Sequence, residues 1–457
     1  MDVKSINLKN IGRFEELDIE FAPNEETSTN VTVFIGNNGA GKSTILKSLA
    51  TSLSWLVSRI IAENGHGEPL NEDEILNSAS FASIDIAVTN GAQIDMTSES
   101  IANEDFYRWT IAKTKKGRAS SQKSHFSDAT KLAENFRHDF EADANCSFPV
   151  IAYYPVERTV IDIPQKVRTR HTFLQLDGYD DSLNRGVDFR RFFEWFRDRE
   201  DSENEQTISS DHLKTILADR KVDQNLKVLL EEVISKARDR QLNAVRSAIY
   251  TFMPGFTNLR VRRKPRLHMA IDKDGSTLDV AQLSGGEKSL MALVGDIARR
   301  VAMMNPDLDN PLVGDGIILI DEIELHLHPR WQRTVVAQLI STFPNCQFVL
   351  TTHSPLVISD VDDLLIYSLD DGELNLIDSL FGEDVNSVLA GPMNTDIRNV
   401  EILIKLGDML DAISENDIAT AERLGNELSQ QLPSKNIELA KAKLFLKKRK
   451  LKNEKDL

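Results

Sequence analysis

Cysteine is scarce in this chain: two occur among 457 residues, Cys146 and Cys346. A pair so sparse and so far apart excludes a disulfide scaffold. Long apolar runs are missing too. No stretch of about 18 apolar residues is present, which excludes a membrane-spanning helix. The opening residues Met1-Asp2-Val3-Lys4 begin directly in strand-like alternation, without an apolar leader, so the expected location is the cytoplasm. Positive charge is in deficit, with 54 Lys and Arg against 71 Asp and Glu and a formal net charge of -17. Such a balance favours solubility and disfavours a global nucleic-acid footprint. Three local basic runs, at 113–123, 260–266 and 441–455, go against it, and each reads equally as a solvated face or a contact surface. What remains, 41% hydrophobic and 27% charged, is ordinary globular composition with room for about two to three domains.

Against that background one early segment is dense with meaning. The β-branched run Asn30-Val31-Thr32-Val33-Phe34-Ile35 predicts a strand. Gly36-Asn37-Asn38-Gly39-Ala40-Gly41-Lys42-Ser43 follows at once, and Ile45, Leu46, Leu49, Leu53 and Leu56 then recur at helical spacing. Strand, glycine loop and helix in that order make a P-loop. Glycines let backbone N–H groups converge on phosphate oxygens, and the helix N-terminus adds partial positive charge. Lys42 is expected to reach the β- and γ-phosphates of ATP, Ser43 to ligate Mg²⁺, and Thr44 to sit beside the α-phosphate.

Two further strand ends supply acid and sensor. Gly316-Ile317-Ile318-Leu319-Ile320 is apolar without alternation, as a parallel strand buried on both faces requires. It ends in Asp321, placed to hold Mg²⁺ through water, and Glu322, placed to polarise the attacking water as general base. Cys346-Gln347-Phe348-Val349-Leu350 leads into Thr351-Thr352-His353. There His353 is a satisfied polar residue if the run stands alone, and a γ-phosphate sensor beside the other motifs.

Leu283-Ser284-Gly285-Gly286-Glu287 opens another helix, with Leu290, Leu293 and Ile297 in step. This second glycine-bearing N-terminus is also a phosphate ligand, but more than half the chain separates it from Lys42. Both N-termini cannot reach one γ-phosphate within a single sheet. A symmetric pair of subunits resolves this, with Ser284, Gly285 and Gly286 of one copy facing the ATP held by the other.

In order and type these motifs resemble the ABC-type ATPases of the SMC, RecF and OLD group. The resemblance covers residues 1 to about 60 and about 270 to 395. It includes the opening Ile6-Asn7-Leu8-Lys9-Asn10-Ile11-Gly12-Arg13-Phe14 and the run Asp321-Glu322-Ile323-Glu324-Leu325-His326-Leu327-His328-Pro329, which is similar to that group's extended Walker B and D-loop. His326 and His328 are alternatively a metal pair. One feature departs from the group: a glutamine is usual beyond the strand at 148–154, and here Pro155-Val156-Glu157-Arg158 follows, with Gln165 the nearest glutamine.

The size and C-terminal segment resemble the PtuA-type ATPases of Septu and retron defence systems. That resemblance implies an HNH nuclease partner, PtuB, and in retrons a reverse transcriptase with its RNA–DNA product; nucleic acid stays open as a ligand. The expected fold is α/β: an ABC-type P-loop ATPase head (1–60 and 255–395, with the strand near 148–154), an inserted α+β and helical arm (61–254), and a helical partner-docking tail (396–457). Within the arm, strands are expected over 82–90 and 106–113 and helices over 126–140, 187–199 and 211–252. Phe189, Phe192, Phe193, Trp195 and Phe196 read as core. In the tail Val400, Ile402, Leu403, Leu406, Met409 and Leu410 form one apolar stripe. No HNH or Toprim pattern is present, so nuclease activity belongs to a partner in trans. Two rival readings stand: a RecF-like DNA clamp gripping duplex through 260–266, and a scaffold that binds ATP and barely hydrolyses it.

Overall fold

The computed structural model describes residues 1–91, 105–118, 122–157, 173–184, 186–217, 239–395, 399–433 and 435–453. They divide into two units, Met1–Asp384 and Val385–Leu457. In the first unit β1 (Asp2–Ile11) and β2 (Phe14–Glu20) form a tight hairpin, and β3 (Val31–Gly36) feeds the glycine loop and α1 (Lys42–Ile61). Then come β4 (Phe81–Asn90), β5 (Asp105–Thr114), α2 (Ser127–Ala142) and β6 (Val150–Tyr154). Two helices follow, α3 (Phe189–Leu217) and α4 (Arg240–Phe252), and then a small meander of β7 (Phe256–Arg262), β8 (His268–Lys273) and β9 (Ser276–Asp279). The unit closes with α5 (Gly285–Met304), β10 (Gly316–Ile320), α6 (Pro329–Thr342), β11 (Cys346–Thr351), α7 (Pro355–Ile358) and the hairpin β12 (Leu365–Asp370) and β13 (Glu373–Ile377).

Six strands build the central sheet in the order β13-β12-β3-β11-β10-β6, parallel except for the β12–β13 hairpin. Every residue of β6, β10 and β11 is buried, which is why their sequences show no polar alternation. The neighbours β3, β11, β10 and β6 run the same way, so their C-terminal ends, and the loops that follow them, come out along one edge. Helix α1 packs on all four.

A second sheet, β2-β1-β4-β5, is antiparallel. Its strands β4 and β5 were expected in an inserted arm, but β4 pairs with β1 and so completes the sheet opened by the first hairpin. The physical reason is an open edge: β1 buries Val3, Ile6, Leu8 and Ile11, and an unpaired apolar strand needs a partner. Gln347 in β11 pins this sheet to the central one. Its side-chain oxygen accepts from the Val3 N–H at 2.8 Å, and its amide donates to the Val3 and Ala22 carbonyls at 2.8 and 2.7 Å. The fully buried amide is thus satisfied on both ends.

Phe189, Phe192, Phe193, Trp195 and Phe196 are buried along the first turns of α3. The helical tract expected over 211–252 is seen at its two ends, to Leu217 in α3 and from Arg240 in α4; positions 218–238 fall outside the described residues. Arg260, Arg263 and Arg266 of the basic run are each paired with carboxylates, Asp272, Asp201 and Asp279 respectively.

The second unit holds α8 (Val385–Ala390), α9 (Val400–Ser414), α10 (Ile418–Gln431) and α11 (Ile437–Asn453). Leu406, Met409 and Ile413 of α9 pack with Leu424, Leu428, Leu439 and Leu446 in its own small core. The expected apolar stripe of α9 is split. Val400, Leu403 and Leu410 are exposed, because the buried face follows 402, 406, 409 and 413 at helical spacing and leaves those three on its flanks. Among the described residues no helix is long and apolar enough to cross a membrane.

Candidate functional site

The glycine loop between β3 and α1 has the backbone of a phosphate cradle. Gly36, Gly39 and Gly41 all lie at positive φ. Gly41, at φ 111°, is the strictest: a Cβ there would fall 2.4 Å from the Phe14 ring, so glycine alone fits. Gly41 is the N-cap of α1, and no side chain caps that helix. The first N–H groups of α1 are therefore left for a ligand. The hairpin turn of β1–β2 leans on the same loop, with Arg13 donating to the Gly39 carbonyl at 2.7 Å.

Lys42 is buried at 5% exposure, and its ammonium donates to the carbonyls of Gly36 at 2.7 Å and Asn37 at 3.0 Å. Burial lowers its pKa, opposed by the charges of Asp321, Glu322 and Glu324. A desolvated cation held by two neutral carbonyls can exchange them for anionic phosphate oxygens, which bind an ammonium more strongly.

Asp321 and Glu322 leave the end of β10. Asp321 is buried, its N–H bonded to the Tyr154 carbonyl at 2.9 Å. The hydroxyl of Thr351, at the end of β11, donates to the Asp321 carboxylate and accepts from the Glu322 N–H at 2.7 Å. One hydroxyl so orients both acidic residues. Glu322 sits at φ 46°, a left-handed conformation costly for a residue with a side chain, and the Thr351 bond helps hold it there.

His353 stands one loop further on. Its backbone N–H donates to Glu324 Oε1 at 2.6 Å, while Thr352 Oγ1 donates to Glu324 Oε2 at 2.7 Å. Burial and the nearby Lys42 charge lower the His353 pKa, so the neutral imidazole is favoured. Neither Thr351 nor Glu324 was anticipated from sequence. The signals were present, as a polar residue closing a buried strand and a third carboxylate after Asp321-Glu322.

A cleft of about 840 Å³ opens beside the loop. Ser43, Thr44, Lys47, Asp321, Tyr153 and Glu157 are among its lining residues; Ser284, Gly285 and Gly286 are not. Glu157 stands on the wall where a glutamine was expected, and Arg158 and Gln165 lie outside the described residues. The structure therefore brings Lys42, Ser43, Thr44, Asp321, Glu322 and His353 to one end of the central sheet, with the signature segment off the cleft wall.

That segment is closed on itself. Ser284 Oγ accepts from the Glu287 N–H at 3.3 Å, and Glu287 Oε2 accepts from the Ser284 N–H at 2.8 Å, a reciprocal capping box. Lys273 holds the other Glu287 oxygen at 2.6 Å. Burial pushes the Glu287 carboxyl up, but the bonds from Lys273 and Ser284 and the Lys273 charge bring it below its ordinary value. Gly286 is pressed against the loop after Glu322: a Cβ there would meet the His326 carbonyl at 2.5 Å. His328 is the N-cap of α6, its Nδ1 accepting from the Arg330 N–H at 3.2 Å, which gives it a structural role.

Comparison with known proteins fits this arrangement. Residues 31–359 match the family described as "AAA domain, putative AbiEii toxin, Type IV TA system". The chain is 34% identical over 410 residues to the retron Ec83 probable ATPase of Escherichia coli, covering 81% of this chain and 72% of that protein. It is 32% identical to the retron Vc95 probable ATPase of Vibrio cholerae serotype O1 biovar El Tor, covering 78% and 72% respectively. A shorter match, 41% identical over 81 residues, is to the Septu protein PtuA of Bacillus mycoides, covering 18% of this chain and 11% of that one. Among solved structures an SMC head bound to a domain of ScpA is similar at TM-score 0.43 and 16% identity, covering 82% of this chain and 97% of that one. With a nucleotide-type loop, an acidic strand end and relatives of this kind, the chain belongs to the AAA-domain ATPase family of retron and Septu antiviral defence.

Proposed function

We propose that the chain binds ATP with Mg²⁺ and closes as a homodimer in which each signature segment completes the partner's nucleotide site. The observation that carries this reading is the separation of two glycine-bearing helix N-termini in one unit: α1 opens beside the cleft, and α5 contributes nothing to its wall. Isologous pairing brings each α5 terminus to the other copy's phosphate. Lys42 neutralises phosphate charge and Glu322 polarises the attacking water, with Ser284 of the other copy donating across the interface. Ser43 and Asp321 share the cleft wall, and a hydroxyl beside a carboxylate suits the hard oxygen preference of Mg²⁺, which supplies charge neutralisation when bound. His353, neutral and fixed through Glu324, reports whether a γ-phosphate is present.

The output of this cycle is control of a partner. The resemblance to PtuA-type proteins supports an HNH nuclease of the PtuB type and, in a retron, a reverse transcriptase with its RNA–DNA product. The tail unit is the proposed docking site for the nuclease, supported by Leu410 and Phe445, which stand exposed in a groove with Lys448 and Arg449. A DNA-clamp reading is disfavoured, since Arg260, Arg263 and Arg266 are already paired with carboxylates.

Phosphate release by the purified chain tests the catalytic part. Glu322→Gln is expected to lower turnover by about 10²–10⁴-fold while ATP still binds; full activity in that variant would remove Glu322 as the base. Deleting 434–457 is expected to abolish co-purification of the nuclease, and retained co-purification would place the contact elsewhere.

A further inference from the structure

Behind the nucleotide cleft lies a charged cluster that the reaction itself does not use. Asp296, in the middle of α5, is completely buried, and so are Arg299, Arg300 and Tyr154. Arg299 donates to Asp296 Oδ1 at 2.7 Å, and Arg300 donates to Oδ2 at 2.7 Å. Tyr154 donates its hydroxyl to the same Oδ2 at 3.0 Å. Arg300 also reaches the carbonyls of Gly178 at 2.6 Å and Asp180 at 3.0 Å, and the Asp180 carboxylate accepts from Arg191 of α3 at 2.6 Å. Two acidic residues, Asp296 and Asp180, thus tie together β6, α5, the turn at 178–180 and α3.

Burying two guanidiniums and a carboxylate is expensive, and a well-packed apolar cluster holds a fold at least as firmly. What a polar cluster adds is fixed relative position. The elements it fixes matter here. Tyr154 is the last residue of β6, and its backbone carbonyl accepts the Asp321 N–H at 2.9 Å. Its neighbours Tyr153, Pro155, Val156 and Glu157 line the cleft beside Ser43 and Asp321. Its hydroxyl lands on α5, the helix that begins at the signature Ser284-Gly285-Gly286, about 17 Å along the axis from that terminus at 1.5 Å per residue. The Tyr154 side chain therefore joins the acidic end of the nucleotide site to the body of the signature helix, beside the contact of Gly286 with the His326 carbonyl at its start.

We propose that Tyr154 is the positioning residue that couples occupancy of the nucleotide cleft to the placement of the signature helix, through its hydrogen bond to Asp296. It takes this role where the wall after β6 carries Pro155-Val156-Glu157 and no glutamine. Nucleotide filling the cleft displaces the end of β6, and because Tyr154 grips Asp296 directly, α5 and its Ser284 terminus follow. The coupling is internal to one chain. Its use in closing two chains rests on the dimer reading above.

The test is hydrogen exchange along the full-length chain with and without ATP and Mg²⁺, on the unaltered protein and on Tyr154→Phe. That variant removes one oxygen and leaves Asp296 paired with both arginines, so the fold is retained. In the unaltered protein ATP is expected to change exchange both in the loop at 36–44 and in α5. In Tyr154→Phe the loop is expected to respond as before, while the α5 response falls by about 10-fold or more, the scale of one hydrogen bond to a charged acceptor. A residue that is merely structural would lower the melting temperature and leave the α5 response intact. An unchanged α5 response in the variant overturns the proposal, and so does an α5 that ignores ATP in the unaltered protein. Ser284→Arg run alongside keeps the dimer question separate: self-association by sedimentation is lost there, whereas the ATP response of α5 persists if coupling is internal.

Discussion

Two helices in this molecule begin with glycines and face the same kind of ligand, yet they begin differently. The N-terminus of α1 has no side-chain cap, a left-handed glycine and a buried lysine folded back on the loop. The N-terminus of α5 is capped twice over, by Ser284 and by Glu287, with Lys273 holding the second. The first leaves its N–H groups without a side-chain partner, open to an anion such as the proposed phosphate. The second is satisfied until something better arrives. On the dimer reading proposed above, the cap at Ser284 would have to be exchanged for the new bond, so its gain would be small until a correctly placed phosphate is offered.

The contrast can be broken at its strong end first. Lys42→Ala should weaken ATP binding by about 100-fold or more, read by displacement of a fluorescent nucleotide, because two or more charge-assisted bonds are lost together. Ser284→Arg should leave that binding unchanged and weaken ATP-dependent self-association by about 10–100-fold in sedimentation. Equal damage to both measurements from either variant would erase the distinction between the two termini. Thr351→Val leaves the loop and α1 intact but frees Glu322 from its bond; turnover is expected to fall about 10-fold with nucleotide affinity nearly preserved.

A pH series sharpens the same contrast. His353 has its pKa lowered by burial and by Lys42, so the folded state takes up a proton less readily than the unfolded chain. The resulting penalty is absent above the ordinary histidine value of 6.5 and grows as pH falls through the depressed one. Stability should drop on acidification in the unaltered chain and drop less in His353→Asn, measured by thermal melts between about pH 7 and pH 5. The smallest effect belongs to Ser284→Ala, which removes a cap and should cost about 1 kcal/mol of stability without nucleotide.

The sequence made the strand ends legible because chemistry there is local. Gly36 to Ser43, Asp321-Glu322 and His353 each follow an apolar run, and parallel strands deliver their C-terminal ends to one edge. Pairing between distant strands was not legible. β4 and β5 alternate as any half-buried strand does, and nothing in their pattern says that β1 is the neighbour. Supporting residues were hidden for a related reason. Thr351 and Glu324 each act through two hydrogen bonds to residues near or across the sheet, and Tyr154 through a bond to Asp296 far along the chain, so no spacing rule marks them. The α9 stripe failed on angle: six apolar positions along about three turns span more of the helix than one neighbour covers.

Gly286 touches the His326 carbonyl so closely that no side chain fits between them, and that seam has a kinetic meaning. The loop from Glu322 to His326 and the signature segment meet at this contact within one chain. In the proposed closed pair, each chain's signature would rest on the other's ATP while its own Glu322 loop would serve its own. Departure of phosphate on one side would then disturb the contact proposed to stabilise the other, and the two turnovers would become events with an order rather than two independent clocks. The measurable sign is a rate against ATP concentration steeper than a single-site curve, with Gly286→Ala flattening it.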